Sequence, residues 1–190
     1  MNKHIMAILV LVLVLCSCKT TGVPGHIDVY GMIYDFLNKP VPFCDVSLNA
    51  KLTGSTDING RFGIPKVPRG AYTLTCLREG YETYQDSVFI GDRGQIIYVR
   101  IPSQSQLLTL TDDALTAMNL ETAEEYIERA YLIDKNNIEM LFYYAAIKFR
   151  QRKYGEAAGF LITARELGSR DIYIERFLNI LKGLQNDQTE

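Results

Sequence analysis

The chain has 190 residues, of which 47% are hydrophobic and 22% charged, with a formal net charge of −2. That is ordinary globular composition, which excludes a disordered chain, and so small a charge excludes electrostatic capture of nucleic acid. From His26 to Ser103 there are eight acids and eight bases; from Gln104 to Glu190 there are fourteen acids and ten bases. The two stretches also differ in hydrophobic period, so the sequence predicts two domains behind a targeting segment.

Lys3 gives a short basic start, and Ile5 to Leu15 follows as eleven unbroken apolar residues. A membrane-spanning helix needs about 20 such residues, so this run matches instead the apolar part of a signal peptide. Leu15-Cys16-Ser17-Cys18 comes next. It resembles the lipobox of bacterial lipoproteins, an aliphatic residue and two small ones before the cysteine that becomes the new N-terminus. The resemblance implies a signal peptide over 1–17 and a diacylglyceryl group on the Cys18 thiol, usually with acylation of the freed amine. Several chains anchor where one binds marginally, each buried methylene adding about 0.8 kcal/mol. Residues 18–25 are then the lipidated cysteine and its tether, whose seven residues after Cys18 reach about 25 Å at most. The expected location is a bacterial membrane. Lys19 rather than Asp follows Cys18, which favours the outer membrane, with the periplasmic or surface side open. The competing reading is a secreted protein cleaved nearby, with Cys18 incidental.

From His26 to Ser103 the period is two. Ile27, Tyr30 and Ile33 share one β-rich run. Cys44, Val46 and Leu48 alternate with Asp45, Ser47 and Asn49, and Tyr72, Leu74 and Cys76 with Thr73 and Thr75. Ile96, Tyr98 and Arg100 alternate with Ile97, Val99 and Ile101. Turn signals at Asn38-Lys39-Pro40, Asp57-Ile58-Asn59-Gly60, Pro68-Arg69-Gly70 and Gly91-Asp92-Arg93-Gly94 separate the runs. Short strands with such punctuation predict an all-β sandwich. Asn59-Gly60 tolerates positive φ and is expected to close a hairpin.

The motifs Gly31 to Asp35, Lys39-Pro40-Val41-Pro42, Val46 to Leu48, Thr56 to Phe62, Pro68 to Leu74 and Gly80-Tyr81 run in order along this segment. Together they resemble the carboxypeptidase regulatory-like domain. The resemblance implies a transthyretin-like sandwich of about seven strands over 26–103, a scaffold and not an activity. Enzymes that carry this domain use a separate zinc peptidase domain. With only His4 and His26 present, the latter expected in a linker, this chain cannot build that site. Cys44 and Cys76 both fall on the inward parity of their strands. They are either a disulfide formed in an oxidising envelope or two separate buried thiols.

From Gln104 the period becomes helical. Ala123, Ile127, Ala130 and Tyr131 share a face, as do Ala145, Ala146 and Phe149, and Ala157, Leu161 and Ala164. Ala123 and Ala157, Ala130 and Ala164, and Ile133 and Leu167 each stand 34 positions apart. With Asp134-Lys135-Asn136-Asn137 between helices, this resembles the tetratricopeptide repeat, whose small residues let paired helices approach closely. The resemblance implies helical repeats over 104–184: a first repeat weakened by Thr111, a full one over Ile138–Asp171, and a capping helix over Ile172–Leu184. Residues 185–190 are expected to form a disordered tail. So short an array is expected to pack on the sandwich, dimerise or bind a partner. By position, the family's binding groove falls on Glu139, Phe142, Ala146, Phe149 and Arg150. The two phenylalanines either hold a peptide or partner helix there or pack between helices.

No nucleophile with a base, phosphate loop or histidine pair is present, and Asp112-Asp113 and Glu124-Glu125 read as helix-surface charges. The sequence therefore predicts an α+β, two-domain, non-catalytic lipoprotein without metal or cofactor. It would be a scaffold that binds an envelope protein, and homodimerisation is one outcome considered. The alternative is a glycan- or peptidoglycan-binding lipoprotein that uses Tyr72, Tyr81, Tyr84 and Tyr98 of the sandwich, although Tyr72 faces inward by parity and Trp is absent.

Overall fold

The computed structural model describes residues 25–186. The segment expected to be a signal peptide, Cys18 and most of the expected tether lie outside the described residues, as do residues 187–190 of the expected tail. Among the described residues, seven strands form two sheets and five helices follow.

The strands are β1 (His26–Tyr34), β2 (Asp45–Leu48), β3 (Leu52–Ser55), β4 (Arg61–Pro68), β5 (Gly70–Leu77), β6 (Tyr84–Ile90) and β7 (Ile96–Arg100). One sheet has the order β4-β1-β7, with β7 parallel to β1; the other has the order β3-β2-β5-β6. The alternation of the sequence becomes the core directly. Ile27, Val29 and Ile33 of β1 meet Val46 and Leu48 of β2, Leu74 of β5 and Val99 of β7 in one buried cluster. Each fully buried aliphatic side chain contributes about 1.5–3 kcal/mol.

The turn at Asp57 to Gly60 differs from its expected role. It does not close a hairpin within one sheet, because β3 and β4 belong to different sheets. The chain crosses there from one layer to the other. Thr56 anchors the crossing: its buried hydroxyl accepts from Cys44 N at 2.8 Å and donates to the Val41 carbonyl at 2.7 Å. Asp57 Oδ1 accepts from Asn59 N and Arg61 N. Gly60 has φ +73°, and a Cβ there would sit 2.5 Å from the Ile33 carbonyl. No side chain fits that approach.

The helices are α1 (Gln104–Thr116), α2 (Leu120–Ile133), α3 (Ile138–Arg150), α4 (Tyr154–Glu166) and α5 (Ile172–Asn186). Side-chain caps set three of the starts. Ser103 and Gln106 form a capping box at α1, Asn119 accepts from Thr122 N at α2, and Asn137 accepts from Met140 N at α3. The starts of α1, α3 and α5, at Gln104, Ile138 and Ile172, recur every 34 positions, as do those of α2 and α4. Burial recurs with them: Leu107 and Leu141, Thr111 and Ala145, Ala123 and Ala157, and Ala130 and Ala164 are all buried. Thr111 fits a tight position because its hydroxyl turns back onto the Leu107 carbonyl at 2.8 Å.

α5 breaks the pattern on one side. Where α3 presents Leu141 and Ala145 to α4, the equivalent positions of α5 carry Glu175 and Asn179, both exposed. The other side of α5 buries Ile174, Leu178 and Leu181. The exposed side of α5 is mixed, with Ile172, Tyr173 and Ile180 in solvent beside Glu175 and Asn179.

No linker separates strands from helices. Ile101 N still bonds the Tyr34 carbonyl, and Ser103, which caps α1, is bridged to Tyr81. Gln104 N donates to the Gly80 carbonyl, and Glu82 N to that of Pro102. The side chain of Gln106 donates to Asp35 at 2.8 Å, and that of Gln104 donates to the carbonyls of Ala130 and Asp134.

Candidate functional site

The helical part carries an apolar cleft flanked by acids. Its volume is about 520 Å³, and Ile138, Glu139, Phe142, Asp171, Tyr173 and Ile174 line it. The cleft lies where the first turns of α3 and α5 stand side by side. Phe142 is 37% exposed and Tyr173 64% exposed, so two aromatic rings face solvent beside each other's helices. Glu139 supplies charge in the first turn of α3. Asp171, just ahead of α5, accepts from Tyr173 N at 2.8 Å, which fixes its carboxylate at the rim.

The five groove residues expected from the sequence divide. Glu139 and Phe142 line the cleft. Ala146 is half-buried one turn further along α3. Phe149 packs between helices, its ring meeting Phe177 of α5 edge-on at 5.3 Å and Tyr154 of α4 at 5.8 Å, and Phe142 meets the same Phe177 ring edge-on at 6.1 Å while its exposed part lines the cleft. Arg150 reaches back to the end of α1, with Nη1 3.5 Å from the Leu115 carbonyl. A cation over helix-terminal carbonyls stabilises that end. Tyr173, Ile174 and Asp171 escaped the sequence reading because α5 was assigned only a capping role. The 34-residue offset from Glu139 to Tyr173 would have found one of them.

Glu124 is not the free surface charge expected of it. It accepts from Lys148 Nζ at 2.6 Å and from Gln151 Nε2 at 2.7 Å, tying α2 to the C-terminal end of α3. The Lys148 hydrogen bond holds the Glu124 carboxyl below the usual carboxylate range. Lys148 is itself buried, and Glu156 stands 3.6 Å away on its other side. Burial works against the Lys148 charge, but Glu124 and Glu156 together raise its pKa.

In the sandwich, Cys44 and Cys76 are free thiols and fully buried. Val46 pairs with Cys76 across β2 and β5, which places Cys44 diagonally opposite it on the same inner face. The thiol contact with Cys76 lowers the Cys44 pKa, and the same contact together with burial pushes Cys76 up. The four tyrosines also divide. Tyr72 donates its hydroxyl to the Pro68 carbonyl, and Tyr81 packs against the core beside the joint with α1. Tyr84, which also packs against the core, and Tyr98 both line a cleft at the sandwich edge. Among the described residues, no group of three or more His, Cys, Asp or Glu side chains is placed to hold a metal, and no helix is long and apolar enough to cross a membrane.

No family model matches the sequence, and no curated protein matches it. Solved structures match about two-fifths of the chain. A type II cohesin-X-dockerin complex from Acetivibrio cellulolyticus matches with a TM-score of 0.36 and 18% identity, over 40% of this chain and 58% of that one. The major pilin subunit of Bacillus cereus matches with a TM-score of 0.31 and 19% identity, over 42% of this chain and 30% of that one. Catechol 1,2-dioxygenase from Acinetobacter matches with a TM-score of 0.29 and 12% identity, over 42% of this chain and 45% of that one. The chain thus spans less than two thirds of each. Likeness of this degree carries neither activity nor partner to this protein.

Proposed function

We propose that this is a lipid-anchored, non-catalytic adaptor of the bacterial envelope. A carboxypeptidase regulatory-like sandwich stands next to the membrane, and a short tetratricopeptide-like array holds a partner protein. The 34-position recurrence of helix starts and buried small residues supports the array. The lipobox-like Leu15 to Cys18 supports the anchor. The observation that carries the docking role is the cleft of Ile138, Phe142 and Tyr173 with Glu139 and Asp171 at its rim. Exposed aromatic rings next to carboxylates that have no ion-pair partner among the described residues suit a segment that offers an apolar side chain beside a lysine or arginine.

The test places a photo-crosslinking residue at Tyr173 in intact cells. Capture of an envelope protein that is lost on Phe142→Ala and on Glu139→Lys supports the reading. The same captured proteins in all variants would overturn it. Phe149 is left unaltered because its ring meets both α4 and α5; Phe142 also touches Phe177 of α5, so Phe142→Ala must melt as the parent does, and Glu139→Lys carries the test without removing a ring contact.

A further inference from the structure

We infer that the open edge of the sandwich is a saccharide site for a carboxylate-bearing sugar, a uronic acid unit in a glycan. This goes beyond the docking role and rests on different residues. A cleft of about 570 Å³ lies at that edge, lined by Tyr34, Asn38, Tyr84, Tyr98, Val99 and Arg100. β6 and β7 are each the last strand of their sheet, so the cleft sits where the two sheets part. Tyr98 and Arg100 stand two apart on the outer face of β7, and parallel pairing sets Tyr34 of β1 beside Arg100. Tyr84 begins β6 on the opposite layer.

The chemistry of this lining is that of sugar recognition. A pyranose presents a flat face of C–H groups that stacks on an aromatic ring, while its hydroxyls need donors and acceptors around the rim. Tyr98 is 65% exposed, a large ring surface left in water. The Tyr84 hydroxyl donates to Asp86 Oδ2 at 3.2 Å, which fixes that ring and leaves its oxygen free to accept. The Tyr34 hydroxyl is directed only at the Met32 sulfur, a weak acceptor it can exchange for a sugar oxygen. An edge strand also leaves alternate backbone N–H and C=O groups of β7 unpaired.

Charge then selects among sugars. Arg100 has no acidic partner among the described residues, and no acidic side chain lines the cleft. The nearby Asp86 is already held by the Tyr84 hydroxyl and the Ser87 amide. The guanidinium fork matches a carboxylate through two parallel hydrogen bonds, which a lysine would not give.

The test is titration calorimetry of the full chain in detergent. The probes are tetramers of galacturonate and mannuronate and a glucuronate-containing tetramer, each beside a neutral counterpart. At least one acidic probe is expected to bind at least tenfold tighter than its neutral form. Tyr98→Ala is expected to weaken that binding at least tenfold. Arg100→Gln is expected to abolish the preference for acid while keeping residual binding. Both side chains are exposed, so melting temperatures should match the parent and exclude misfolding as the cause. No heat with any acidic tetramer, equal affinity for neutral tetramers, or binding unchanged in both variants would overturn the inference. None of these outcomes bears on crosslinking at Tyr173, so the two proposals fail separately.

Discussion

Arg129 of α2 grips Glu82, in the loop between β5 and β6, through two parallel hydrogen bonds of 2.8 Å each. The guanidinium also lies 5.9 Å from the Phe36 ring and 5.8 Å from that of Tyr126. The Arg129 and Glu82 side chains are each less than a third exposed. The Glu82 bond, joined by its charge and that of Glu125, raises the Arg129 pKa further. Forked geometry and partial burial place this pair above an ordinary surface ion pair. Arg129→Ala should therefore lower unfolding stability by about 1–2 kcal/mol. Arg129→Lys should recover only part of it, since charge without the fork is not equivalent. Denaturant titration of the three proteins checks this; a full recovery by lysine would show that charge alone matters.

A second prediction concerns acid. Glu124 is held below its usual range by Lys148 and Gln151. A depressed carboxylate contributes stability that is fully present above its unfolded value, near 4.5, and lost as pH falls through the lower folded value. The helical part should therefore lose stability below about pH 4.5, and Glu124→Gln should flatten that loss. Melting temperature measured between pH 3 and pH 7 reads it directly. A variant that falls as steeply as the parent would assign the acid sensitivity elsewhere.

The thiols give a third. Cys44 and Cys76 are both at 0% exposure inside the sandwich. A water-soluble maleimide should label neither in the folded chain, and guanidine should expose both if they remain thiols. Absence of labelling in guanidine until a reductant is added would instead identify a Cys44–Cys76 bond. Labelling of the folded chain would contradict the burial itself.

How much of this was legible beforehand follows from what a linear pattern can encode. Ile97, Val99 and Ile101, or Ala130 and Ala164, announce themselves because burial repeats at the period of the element that buries them. The layering of strands before helices was readable for that reason. The joint was not: Asp35 and Gln106 meet across 71 positions, and Glu82 and Arg129 across 47, without any period linking them. The turn at Asn59-Gly60 has hairpin chemistry, yet Thr56 pins the chain where it changes sheets. Phe149 sits on the face that the repeat assigns to a groove, but Phe177 of α5 and Tyr154 of α4 cover it. Tyr34, Tyr84 and Tyr98 come from three strands, and only the parallel pairing of β1 with β7 brings the first and last together.

The last prediction concerns the exposed side of α5. A second helix gains little by covering a seam that carries polar side chains. Glu175 and Asn179 occupy the positions where α3 buries Leu141 and Ala145. Glu175 gives up little when replaced, since its contact with Arg165 is 3.7 Å long and about half exposed on both sides. Glu175→Leu with Asn179→Ala restores an apolar seam without disturbing Ile174, Leu178 and Leu181 beneath. A leucine buried there would contribute about 1.5–3 kcal/mol per chain toward pairing of two copies through α5, a weak association that shows only at high concentration. Sedimentation velocity should show concentration-dependent association of the double variant beyond that of the parent. If the variant sediments as the parent does at every concentration, Glu175 and Asn179 are not what keeps two copies from pairing through α5.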